Sequence, residues 1–130
     1  MVMYFISAIL GNHATSIYKQ RGKILMSLRL NTNYNELAKS WEVELIGEVD
    51  INSKSILKEE LIQLNDKKQS DFVFKCENLE YIDSTGLGVL ISFYKNVKIH
   101  NNTVHFEKLK PSILKIFTLT GLDRIFSIRN

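Results

Sequence analysis

Residues 72–97 read FVFKCENLEYIDSTGLGVLISFYKNV, and two periodicities meet inside them. Phe72, Val73, Phe74 and Cys76 form a nearly continuous apolar run bounded by polar residues, the pattern of a short strand buried on both faces. From Leu87 onward, Leu90, Ile91, Tyr94 and Val97 recur at helical spacing, so a helix follows and turns one apolar stripe to the sheet. Residues 77–83 read as a connector, and Asp83, Ser84 and Thr85 stand where helix caps belong. A buried strand feeding a helix through a short polar turn is a building unit of layered α/β folds.

The same pattern extends in both directions. Downstream, Asn101 and Asn102 mark a turn, residues 103–109 alternate as a strand, and Pro111 suits the first position of a third helix, where its missing N–H costs nothing. Gly121 is the natural stop. Ile113, Leu114, Ile116, Phe117 and Leu119 leave that helix apolar on most of its surface, so it is expected to be buried or to offer an interaction face. Residues 126–129 suit a last short strand. Upstream, Leu57, Leu61 and Leu64 define an amphipathic helix starting near Ser53 and ending within residues 65–69. Before it, Trp41, Val43 and Leu45 alternate with Glu42 and Glu44 as a strand that Gly47 interrupts, and Asp50 opens a turn or cap. Residues 27–32 suit a short edge strand, with 31–39 as the turn between the two. The implied fold class is α/β: a single layer of mixed, mostly parallel sheet, of about four to five strands, covered by about three helices.

A chain of 130 residues holds one domain with one core. Its pI of about 9.0 suggests nucleic acid, but the charge is misplaced for that. Lys19, Arg21 and Lys23 carry the whole excess of +3, leaving 14 basic and 14 acidic side chains from Met26 onward. The domain lacks the positive field that phosphate backbones require, so no nucleic acid is expected as a partner. The apolar run Val2 to Leu10 has nine residues, far short of the roughly 20 of a membrane span, and its basic residues follow rather than precede it, against a signal peptide. Gln20-Arg21-Gly22 can be encoded by a purine-rich ribosome-binding sequence placed ahead of Met26. Residues 1–25 are therefore expected to be a leader or flexible arm, with Met26 the true start and residues 26–130 the domain. The single cysteine, Cys76, lies in an apolar stretch and fits a buried thiol in a reducing, cytoplasmic setting.

The chemistry concentrates at Asp83-Ser84-Thr85-Gly86. A hydroxyl at a helix start is accessible, and free N–H groups with the positive end of the dipole can receive a phosphate there. Taken alone, the tetrapeptide is also simply a good cap. Gly86 and Gly88 lower helix propensity by about 1 kcal/mol each, which points to close approach by backbone or partner. No Gly-x-Ser-x-Gly elbow surrounds Ser84, and His13, His100 and His105 have the settings of solvated or structural side chains, so no catalytic residue is expected. No cluster has metal-ligand spacing, and no metal or cofactor is expected.

Three motifs, Leu45-Ile-Gly-Glu-Val-Asp50, Asn78-Leu-Glu-Tyr-Ile-Asp-Ser-Thr-Gly-Leu-Gly-Val-Leu90 and Leu119-Thr-Gly-Leu-Asp-Arg-Ile-Phe126, resemble in order and spacing the STAS domain, in particular the bacterial anti-sigma factor antagonists. The resemblance covers residues 26–126. It implies that Ser84 is phosphorylated by an anti-sigma factor with serine kinase activity, and that a serine phosphatase reverses this. It further implies a partner-binding face comprising Asp50, Asp83, Ser84, Thr85, Gly86, Leu87 and Gly88. Unmodified protein would bind the kinase and release a sigma factor; phosphorylation would end binding. Asp50→Ala is expected to weaken docking with an unchanged melting curve. The family's second serine is Thr85 here, a conceivable minor acceptor, and Lys75-Cys76-Glu77 departs from the common pattern after the central strand. The C-terminal helix common in the family is expected to be absent or very short here. A monomer or weak dimer without membrane contact is expected. The alternative is a non-phosphorylated STAS scaffold or regulatory subunit of a transporter or stress-sensing assembly; the acceptor serine favours the switch.

Overall fold

The computed structural model describes the backbone of residues 3–10, 13–20 and 23–130, and the side chains of residues 27–130. In chain order the elements are β1 (Met3–Leu10), β2 (His13–Gln20), β3 (Lys23–Asn35), β4 (Ser40–Val49), α1 (Lys54–Lys67), β5 (Asp71–Lys75), β6 (Leu79–Ile82), α2 (Ser84–Ile99), β7 (Val104–Glu107), α3 (Pro111–Leu119), a short 3-10 turn (Leu122–Arg124) and β8 (Ser127–Arg129). One sheet runs β1-β2-β3-β4-β5-β7-β8, with β6 also on β4. The β4–β5, β4–β6, β5–β7 and β7–β8 pairs are parallel, and the β1–β2, β2–β3 and β3–β4 pairs antiparallel. From β3 onward this is the mixed, mostly parallel α/β layer with three helices that the periodicities imply. Within residues 1–25, β1 and β2 extend that sheet by antiparallel pairing.

Three expectations require correction. The segment beginning at Ser27 is not a short edge strand, because β3 pairs with β2 on one side and β4 on the other. Nor do residues 31–39 form a turn throughout: β3 continues to Asn35, and the turn occupies 36–39. Cross-strand pairs carry it onward. The Asn31 amide donates to Glu44 at 2.8 Å, Asn35 donates to Glu42 at 3.3 Å, and Tyr34 meets Trp41 edge to face at 5.1 Å. A further strand, β6, lies inside the expected connector.

One side of the sheet carries the core. Leu28 and Leu30 of β3, Val43 and Leu45 of β4, Phe72 and Phe74 of β5, and Phe106 of β7 are fully buried beneath Leu57 and Leu61 of α1, Leu90 and Val97 of α2, and Phe117 of α3. Phe106 anchors an aromatic group, 5.1 Å from both Phe74 and Phe117 and 4.9 Å from Phe126. α3 buries Ile113 and Phe117 while Leu119 stays 76% exposed. Among the described residues no helix is long and apolar enough to cross a membrane.

Candidate functional site

β4 changes partner along its length: residues 40–44 pair with β5 and Gly47–Val49 with β6. The switch falls at Gly47, whose φ of 106° and contact with the Ser27 carbonyl leave no room for a side chain. As a result β4 and β6 end together. Val49 pairs with Ile82, and the Asp83 N–H donates to the Val49 carbonyl at 3.2 Å. Asp50 and Asp83 thus leave the sheet side by side at the carboxyl ends of parallel strands, where α/β sheets place their crevices.

Asp83 is the N-cap of α2. Its side chain accepts the Gly86 N–H at 2.9 Å and its carbonyl accepts the Leu87 N–H at 2.9 Å. Ser84 follows as the first helical residue and is exposed. α2 carries no acidic residue in its first turn, so the Asp83 carboxylate at the cap is the one that meets the helix dipole there, taking up the Gly86 N–H.

The seven residues grouped by sequence divide between surface and interior. Ser84 and Gly88 are exposed, and Asp83 and Thr85 half-buried. Asp50 is only 9% exposed: its Oδ1 accepts the N–H groups of Asn52 at 2.9 Å and Ser53 at 3.2 Å. The Ser53 hydroxyl donates to the Glu48 carbonyl at 2.8 Å and accepts the Asp50 N–H at 3.0 Å, which locks the entry to α1. An Asp50→Ala chain with an unchanged melting curve is therefore no longer expected. Gly86 is buried against β4, where a Cβ would lie 2.6 Å from the Val49 carbonyl oxygen, and Leu87 is 8% exposed. Close approach at Gly86 is made by the protein's own backbone; at Gly88 nothing lies within 4 Å of a Cβ.

Two flanking residues escaped the sequence reading. Ile51, beside Asp50, is 62% exposed, and Tyr81, opposite Glu48 in β6, is 49% exposed. Ile51 adjoins Asp50 and Tyr81 lies two residues before Asp83, which was the available signal, but the outward setting of Tyr81 depends on the unforeseen strand β6. Elsewhere, Cys76 is fully buried, and burial, reinforced by Glu107, pushes its thiol up to about 12. His105 is bracketed by the Thr103 hydroxyl at 2.8 Å and Arg129 at 3.2 Å, and partial burial with Arg129 nearby lowers its pKa. Among the described residues no group of three or more His, Cys, Asp or Glu side chains could hold a metal ion.

The STAS domain family model matches residues 36–130, and the chain belongs to that family. It is 30% identical over 101 residues to the anti-sigma-B factor antagonist of Bacillus subtilis, covering 78% of this chain and 92% of that protein. The fold matches an anti-sigma factor antagonist from Mycobacterium paratuberculosis at a TM-score of 0.68 and 21% identity, covering 79% of this chain and 86% of that one. It also matches the anti-sigma factor antagonist SpoIIAA in its unphosphorylated form, at a TM-score of 0.66 and 15% identity over 78% of this chain and 88% of that one. SpoIIAA from Bacillus has also been solved in a phosphorylated form, which superimposes with a TM-score of 0.61.

Proposed function

We propose that this chain is a cytoplasmic anti-sigma factor antagonist whose unmodified form docks on an anti-sigma factor with serine kinase activity and so releases a sigma factor. Phosphorylation of Ser84 ends the contact. The observation that carries the proposal is the exposed hydroxyl of Ser84 at the mouth of α2, beside a capping aspartate, in a chain whose B. subtilis relative is named an anti-sigma-B factor antagonist. In the transfer, Ser84 Oγ forms a bond to the γ-phosphorus of ATP, the bond to the β,γ-bridging oxygen breaks, ADP leaves, and the hydroxyl proton passes to a base on the kinase.

The product carries about 1.5 to 2 added negative charges next to Asp83. The fold tolerates them because Ser84 is exposed to solvent and the first-turn N–H groups that Asp83 does not cap favour negative charge; the partner does not, because its surface met a neutral hydroxyl. Ile51 and Tyr81 supply apolar contact around Ser84, Thr85 and Gly88, while Asp50, Gly86 and Leu87 hold the surface from within. A serine phosphatase restores binding by hydrolysis.

The test is incubation with candidate histidine-kinase-like anti-sigma proteins and ATP, with mapping of the phosphate. Ser84→Ala should bind constitutively, and Ser84→Asp should bind about thirtyfold more weakly, corresponding to about 2 kcal/mol. Phosphate mapped to another residue, or equal binding by both variants and wild type, would refute the proposal.

A further inference from the structure

α1 and α2 both cross between parallel strands, so they lie side by side with their N-termini at the Ser84 end. Between them runs an open groove of about 520 Å³. Leu61 and Phe93 contribute to its apolar lining, and Ile62, 40% exposed, forms part of one wall. Thr85, adjoining Ser84, stands at one end and Asn96 lies further along, so the furrow follows about 16 Å of α2 at 1.5 Å per residue.

Two features set its chemistry. Lys54 and Lys58 line the groove from α1, both exposed, and no carboxylate lines it. Lys54 is moreover the first residue of α1, where a positive charge opposes the helix dipole, and neither α1 nor α2 has an acidic residue in its first turn. The second feature is Gly88. It lines the groove in the second turn of α2, where glycine is unfavourable, yet a Cβ there would meet nothing within 4 Å. The fold has no need of glycine at 88, and its absence of side chain leaves the groove open.

We propose that this groove receives an acidic segment of the same kinase partner, with carboxylates on Lys54 and Lys58 and an apolar side chain entering over Gly88 toward Leu61 and Phe93. The inference rests on the switch proposed above. It supplies the switch with a second contact, so that the partner is held along α1 and α2 while its active site reaches Ser84.

The experiment uses the full chain, a candidate histidine-kinase-like anti-sigma protein with ADP bound, and titration calorimetry alongside thermal melting. Lys54→Glu/Lys58→Glu should weaken binding about tenfold or more and flatten its dependence on salt, while the melting temperature holds or rises because a carboxylate suits the start of a helix. Gly88→Leu should fill the groove with the same loss of affinity and no loss of stability. Wild-type affinity in both variants, with Ser84→Asp still defective, overturns the groove and leaves the switch standing; absence of wild-type binding overturns both. Should Gly88→Leu fail to fold, the lysine pair, exposed on α1, still decides.

Discussion

Gly86 and Gly88 lie in the same helix two residues apart, and the structure gives replacement of each by alanine the opposite sign. Propensity alone favours alanine at either position by about 1 kcal/mol. At Gly88 nothing opposes that gain, because a Cβ meets no atom within 4 Å. Gly88→Ala should therefore raise stability by about 1 kcal/mol, or roughly 3 to 4 °C in Tm for a domain of this size. At Gly86 the new carbon would lie 2.6 Å from the Val49 carbonyl oxygen, 2.6 Å from Val49 Cγ1 and 3.0 Å from Ile82 Cγ1. The carbonyl is backbone, fixed by accepting the Asp83 N–H, so α2 itself must move outward. That movement strains the cap bond from the Gly86 N–H to Asp83, and overpacking with a weakened cap costs about 2 to 4 kcal/mol before the propensity gain is returned. Gly86→Ala should thus lose about 1 to 3 kcal/mol, a fall in Tm of about 4 to 10 °C. Urea denaturation of both variants, read at unchanged m-value, measures the pair. Equal stabilisation by the two alanines would show that α2 is not pressed against β4, and the account of the site would fail with it.

Four other outcomes follow from named contacts. Asp83→Ala should lower stability by about 1 kcal/mol in urea denaturation, and Asp83→Asn by much less, since the amide retains an acceptor for Gly86. Asp50→Ala removes the acceptor for Asn52 and Ser53 and should lower Tm along with partner affinity; a melting curve matching wild type would contradict the lock at α1. Cys76, with its thiol pushed up to about 12 by burial, should resist iodoacetamide at neutral pH until urea unfolds the chain; rapid labelling of native protein would contradict its burial. Glu60 is 6% exposed, its Oε2 has no hydrogen-bond partner, and burial raises its pKa above 4.5 despite Lys67. An acid with a raised folded pKa favours folding while protonated, so its contribution is full below 4.5 and is lost as pH rises through the folded value. Glu60→Gln should accordingly be more stable than wild type near pH 7 and should erase that part of the pH dependence; parallel pH profiles for the two chains would overturn the assignment.

The helices were legible because each carries its own evidence. Leu57, Leu61 and Leu64 fall on one face whatever lies beneath them, and all three are buried. Pro111 and Gly121 bracket α3 by local backbone chemistry alone. The strands were harder where their side chains do not alternate cleanly. β6 has four residues, with Leu79 and Ile82 inward and Glu80 and Tyr81 outward, a pattern without period two. The polar residues Asn31 and Asn35 suggest a turn when read locally, and only the opposing Glu44 and Glu42 turn them into cross-strand pairs. The site divides in the same way. That Ser84 would be exposed follows from its place at a cap, but the burial of Asp50, Gly86 and Leu87 follows from β4 and β6 ending together, a pairing between segments some thirty residues apart that no local pattern encodes.

That non-local pairing also explains how one helical turn can hold the fold and still present an outer face to the proposed partner. Successive residues of α2 point in directions about 100° apart, so Ser84 and Gly88, separated by four, share the outward side, while Gly86 lies against Val49 and Leu87 enters the core. The anchoring contacts, from Gly86 N–H to Asp83 and from Asp83 N–H to Val49, use backbone and one carboxylate and none of the Ser84 side chain. A charge added at Ser84 Oγ therefore breaks no bond that holds α2 to β4. Its electrostatic effect falls chiefly on the outward side, where the proposed partner would dock, and the same separation lets the outer face vary while the inner face keeps the geometry of the turn.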